Sequence, residues 1–187
     1  MKIIHLSLVL LLGACASTPA TRFYALAPVQ VPVAATKIQG PPSIVVREVI
    51  LPRYLDRPQI VTRTGAHRLR FAEFAHWGGD LREEVTRALA ENLARHLTGS
   101  AVLPAPTFAS APPDLTLDIE LLRFEAADDG QVHLVARWGV QRAQIREITL
   151  SRARPGEAVD AALVGVMSEL LGDLAAAIAP TMAAGRR

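Results

Sequence analysis

The sequence predicts a single α+β domain in which a mixed, mostly antiparallel sheet packs against two main helices. Short β-branched or alternating runs, cut by Gly and Pro, recur through most of the chain. Two longer stretches instead repeat their apolar residues at helical spacing, one mid-chain and one at the C-terminal end. The length suits one domain with a real core rather than two.

The domain is expected over 23–187, after a segment of a different kind. Lys2 gives a positive start, and Ile3 to Leu12 is apolar except for His5 and Ser7. That run falls short of the roughly 20 residues that span a bilayer, so it reads as a processed export signal, 1–14. Leu12-Gly13-Ala14-Cys15 has the form of a lipobox, with cleavage between Ala14 and Cys15 and diacylglyceryl transfer to the Cys15 sulfur. The chemistry needs a thiolate, a strong nucleophile whose thioether product is stable. Cys15 is the only cysteine, so no intramolecular disulfide can form and stability must come from packing. Residues 15–22 form the lipidated N-terminus and a short tether. The seven residues from Ala16 to Arg22 reach at most about 25 Å when extended.

Phe23-Tyr24-Ala25-Leu26 is the expected first strand, followed by an irregular connection through Pro28, Pro32, Pro41 and Pro42. Ser43 to Ile50 is β-branched and bounded by prolines. Pro52 and Pro58 prevent it from continuing, and Gln59 to Arg63 with His67 to Phe71 predicts a hairpin around Gly65. Asp80 and Glu83 then give an N-cap pattern for a helix over Asp80–Leu97, closed by Gly99 as C′ residue. Its buried face is predicted as Leu81, Val85, Ala88, Leu89, Asn92, Leu93 and His96.

Leu115, Leu117, Ile119 and Leu121 alternate with polar residues, and Leu121-Leu122 breaks the alternation as a bulge would. Asp128-Asp129-Gly130 is a hairpin turn leading to Val132, Leu134, Ala136, Trp138 and Val140 on one face. A strand near Ile145 to Ser151 completes a meander. Val159, Leu163, Val166, Leu170, Leu174 and Ile178 mark a second helix over about Glu157–Ala179, and Asp160, Glu169 and Asp173 argue against a membrane span. Met167 and Leu171 widen its apolar face, which fits a helix lying deep across the sheet, self-association as a homo-oligomer, or a partner groove.

Cleavage leaves 173 of 187 residues and nineteen Lys and Arg against eighteen Asp and Glu, so charge gives no signal for a nucleic-acid partner. The five histidines, at 5, 67, 76, 96 and 133, lack metal-ligand spacing, and no metal is expected. Phosphate-loop, dinucleotide and nucleophile-elbow motifs are absent from the sequence, so no catalytic residues are assigned. Asp128 and Asp129 are explained by the turn they occupy. Pro52, Arg53, Tyr54 and Leu55 read either as an exposed turn that contacts a partner, Tyr and Arg being hot-spot types, or as a strand end whose Tyr54 and Leu55 cover the core. Trp77 reads either as an interface anchor or as the closure of a core beside a helix N-terminus.

Taken in order, the lipobox, Phe23-Tyr24-Ala25-Leu26, Pro52-Arg53-Tyr54-Leu55 with Gln59-Ile60-Val61-Thr62-Arg63, and Trp77 before a helix resemble the ABC-type transport auxiliary lipoproteins, the PqiC-like family. The similarity covers nearly the whole mature domain. It departs from the family pattern at Gly78-Gly79, where a small residue and a proline would precede the helix. The resemblance implies a non-catalytic periplasmic subunit with no cofactor beyond the covalent lipid. Its partner would be the periplasmic protein of an MCE-type lipid transport system, served by a separate permease and ATPase. Ala16 at the second mature position implies sorting to the inner leaflet of the outer membrane. The competing readings are a lipid-binding carrier lipoprotein and an envelope hydrolase.

Overall fold

A computed structural model describes residues 19–30, 38–107, 111–141 and 144–184. The signal segment, the Ala14–Cys15 cleavage site, the lipidation site Cys15 and the start of the tether lie outside the described residues. The elements are β1 (Arg22–Tyr24), β2 (Ile38–Gln39), β3 (Ser43–Val46), β4 (Gln59–Thr64), β5 (Arg68–Trp77), α1 (Leu81–His96), β6 (Leu97–Thr98), β7 (Ala101–Pro104), β8 (Leu115–Ala126), β9 (Gln131–Val140), β10 (Arg146–Ala153) and α2 (Ala161–Ala184). The fold is α+β, as the sequence predicts.

β8 is the spine. Along one edge it pairs antiparallel with β9, which pairs antiparallel with β10. Along its other edge the sheet forks. The start of β8 takes β3 and then β7, both parallel, while its end meets β4 in parallel at Thr62 and Ala126. β4 and β5 form the expected hairpin, and β1 adds in parallel to the last residues of β5. A separate two-stranded pair joins β2 to β6. The meander β8–β10 turns at Gly130, whose φ of 75° suits glycine, and Asp129 Oδ1 accepts the Gln131 N–H at 2.9 Å. The β8 bulge falls between Leu121 and Arg123, where the alternation breaks in the sequence.

α1 lies against β3 and β7, α2 against β8, β9 and β10, and the helices pack on each other. Leu117, Ile119, Leu121, Phe124, Leu134 and Ala136 supply the sheet side of one core, and Leu89, Leu93, Leu163, Leu170, Leu174 and Ile178 the helix side. α2 is the one described helix long and apolar enough to cross a membrane, yet more than half of its most apolar 18-residue window is buried in the domain. Asp80 caps α1 by accepting the Arg82 N–H at 2.8 Å, and Asp160 caps α2 through Ala162 and Leu163.

Several boundaries differ from expectation. α1 does not end on Gly99: Leu97 turns extended and passes directly into β6, and Gly99, at φ 74°, serves the following turn. α2 starts four residues later than predicted and continues through Pro180. β5 runs on to Trp77, because β1 gives its far end a ladder partner. The β3 run leaves the ladder after Val46 and rejoins it at Ile50, bridged to Glu120. The connection around Pro28 is irregular, as expected, but polar side chains hold it against the helices. Ser168 Oγ accepts Ala27 N–H, Asn92 Oδ1 accepts Val29 N–H, and Arg87 and Arg95 donate to the carbonyls of Leu26 and Val29.

Candidate docking surface

The turn between β3 and β4 folds back over a buried carboxylate. Glu125, on β8 just past the bulge, is fully buried. Its Oε1 accepts Arg63 Nε at 2.8 Å and Arg123 Nε at 3.0 Å, and its Oε2 accepts the Tyr54 hydroxyl at 2.7 Å and the Phe124 N–H at 3.1 Å. The bulge is what turns Arg123 and Glu125 toward Arg63 while Phe124 and Ala126 stay in the core. Burial alone would raise the Glu125 pKa, but the bonds from Arg63, Tyr54 and Arg123 outweigh it and hold the carboxyl below its ordinary range. Burial, with the bonded Glu125 second, pushes the Tyr54 phenol well above its usual value. Such a group has neither a free acid nor a free base. It fixes the junction of β4 with β8, where backbone pairing is limited to one register position.

A groove of about 660 Å³ opens near the start of β8. Ile50 and Ile145 stand on it, 62% and 76% exposed, and Ala105 adds a small apolar wall. Between them lie Arg47, paired to Asp118 at 3.3 Å, and Arg137, paired to Glu147 at 2.9 Å, with Glu48 and Glu120 beside them. Asp118 and Glu120 alternate with the core residues Leu117, Ile119 and Leu121, so the groove lies on the opposite face of β8 from the core. Apolar knobs set among half-exposed ion pairs suit a polypeptide segment. An acyl chain would strip water from those charges without replacing it.

The sequence candidates separate by burial. Leu55 and Trp77 are 2% and 4% exposed and belong to the core, Trp77 beside the α1 N-terminus. Tyr54 is half-buried on Glu125, Pro52 is half-buried, and Arg53 is exposed three residues beyond Ile50. Sequence reading did not single out Glu125, Ile50 or Ile145. A glutamate that shares an edge with two arginines only after a bulge has no signature along the chain. Ile145 was legible only as the first residue of the strand predicted over Ile145 to Ser151, whereas the structure leaves it just ahead of β10.

A family model described as ABC-type transport auxiliary lipoprotein component matches residues 24–179. No curated protein matches the sequence. Among solved structures, the crystal structure of an uncharacterized protein is similar with a TM-score of 0.71 at 21% identity, covering 87% of this chain and 99% of the other. A Xanthomonas campestris protein of the DUF330 family model gives a TM-score of 0.63 at 18% identity, covering 88% of this chain and 96% of the other. At these identities the structures speak for the fold.

Proposed function

Because this chain belongs to the ABC-type transport auxiliary lipoprotein family, we propose that it is a non-catalytic lipoprotein subunit of an MCE-type lipid transport system, anchored through Cys15 to the inner leaflet of the outer membrane. The family match over residues 24–179 carries this reading. Acyl chains on Cys15 add about 0.8 kcal/mol of membrane binding per buried methylene, so more than one chain makes anchoring stable. The folded domain receives the far end of the periplasmic MCE protein, because a tether of about 25 Å cannot cross the periplasm. The groove supplies the contact: Ile50 and Ile145 as apolar anchors, and the Arg47–Asp118 and Arg137–Glu147 pairs as its polar rim.

A photo-crosslinker at Ile50 or Ile145, in cells expressing the full chain, is expected to capture the MCE-domain protein, identified by mass spectrometry. Failure at both positions would remove the groove as the contact. Lipid extracted in stoichiometric amount from the purified protein after removal of its anchor would favour the carrier reading instead.

A further inference from the structure

We propose that the edge of the sheet built from β1 and β5 rests on the anionic phospholipid surface to which the tether leads, holding the groove at the opposite end of β8 out toward the periplasm. The inference rests on the lipid anchor proposed above and adds an orientation to it.

The arginines are divided by place. Among the described residues, eight bond a carboxylate: Arg47, Arg63, Arg82, Arg87, Arg123, Arg137, Arg152 and Arg154. Arg95 donates to a backbone carbonyl and Arg146 to Thr181. Apart from Arg53 on its turn, the four left with neither an ion pair nor a hydrogen bond from the guanidinium among the described residues are Arg22, Arg57, Arg68 and Arg70. Arg22 is in β1, Arg68 and Arg70 are in β5, and Arg57 lies against β5, its guanidinium 3.8 Å over the Phe71 ring with Nε shielded and unpartnered. Glu73 is the only carboxylate of β1 and β5.

The same edge carries exposed aromatic surface. Phe23 is 68% and Phe71 42% exposed, and Phe23 meets His76 edge-on at 6.0 Å. The register pairs Phe23 with His76 and His76 with Gln59 at one end of this wing, and Phe71 with Val61 beyond a register shift. Arg22 alternates with Phe23, and Arg68 and Arg70 with Phe71, so guanidinium and phenyl groups flank the same exposed edge from its two faces. Guanidinium groups that find no carboxylate, beside phenyl rings that find no core, suit a headgroup layer, where phosphates meet the first and acyl carbon the second. Position selects the bilayer over other occupants. β1 begins within the tether's reach of about 25 Å from Cys15, so this edge is the part of the domain the anchor draws to the membrane. The groove lies near Asp118, about 25 Å along β8 from the β4 junction at Ala126.

The test uses the acylated full-length product in vesicles of phosphatidylethanolamine and phosphatidylglycerol with brominated acyl chains. The native Trp77 and Trp138 are both buried, so a Phe23→Trp reporter reads against a constant background. Its emission is expected to shift to the blue and to lose most of its intensity to bromine, whereas Ile145→Trp does neither. Arg68→Glu with Arg70→Glu, both exposed and checked for folding by circular dichroism, should abolish the quenching of the Phe23→Trp reporter while the protein still floats with the vesicles. An anchored protein with unquenched Phe23→Trp, or with equal quenching at both sites, overturns the orientation. A blue shift without quenching means that protein covers Phe23 and also overturns it. A product without acyl chains by mass spectrometry, failing to float, overturns the anchor itself and the orientation with it.

Discussion

Four donors converge on the Glu125 carboxylate, and each has a separable cost of removal. Tyr54→Phe deletes one hydroxyl from a buried anion and should destabilise the domain by about 1–3 kcal/mol in urea denaturation, with no other structural change. Glu125→Ala removes the acceptor of all four donors, stranding the Tyr54 hydroxyl and the Phe124 N–H while the partly exposed Arg63 and Arg123 turn to water, and should cost at least as much as Tyr54→Phe, about 1–3 kcal/mol. The pH dependence follows from the direction of the shift. The folded-state pKa of Glu125 lies below its unfolded value, so its stabilisation is complete above the ordinary carboxylate range and is lost as pH falls through the folded value. The stability gap between wild type and Glu125→Gln should therefore hold from about pH 7 down to about pH 5 and shrink below about pH 4. A gap that closed near neutrality would contradict the depressed carboxyl.

At the scale of elements, the irregular segments are held by polar side chains from the helices rather than by ladders. Thr86 on α1 is the clearest case. Its Oγ1 accepts the Val49 N–H at 3.0 Å and donates to the Arg82 carbonyl at 2.7 Å, and Val49 is fully buried just where β3 leaves the sheet. Thr86→Val keeps the volume and strands that N–H, an expected loss of about 1–3 kcal/mol by the same denaturation measurement. Gly172 on α2 is a steric counterpart. A Cβ there would collide with the Val29 side chain, and Val29 is itself fixed through its N–H and carbonyl to Asn92 and Arg95. Gly172→Ala should lower the thermal midpoint, although alanine is the better helix former by about 1 kcal/mol, because a β-branched neighbour has little freedom to yield.

At the scale of the molecule, one long strand joins two surfaces of different chemistry. The groove at the start of β8 mixes isoleucines with satisfied ion pairs, while the wing beyond its end carries arginines without carboxylates and exposed phenylalanines. Substitutions at the two ends should have different consequences. Ile145→Asp, on a side chain 76% exposed, should leave the thermal midpoint unchanged and impair the envelope barrier in a complementation assay. A lost midpoint would make Ile145 a packing residue, and an intact barrier would separate it from docking.

Local chemistry along the chain was enough to predict both helices, the β4–β5 hairpin, the Gly130 turn, the β8 bulge and the α+β class, because each depends on apolar period, caps or turn residues a few positions apart. The same local reading supplied the family resemblance. What it could not reach was set by contacts between distant segments. The forked sheet, with β3 and β4 both meeting β8 in parallel, has no periodic signature, and neither do strands as short as β2, β6 and β7. Tyr54 and Trp77 stood in the sequence between a partner contact and the core, and distant contacts decide both: Tyr54 bonds Glu125, 71 residues away, and Trp77 is closed in beside the β1–β5 edge and α1. Burial decides whether a tyrosine, an isoleucine or an arginine serves the core or the surface, and burial is a property of the assembled layers rather than of any one segment.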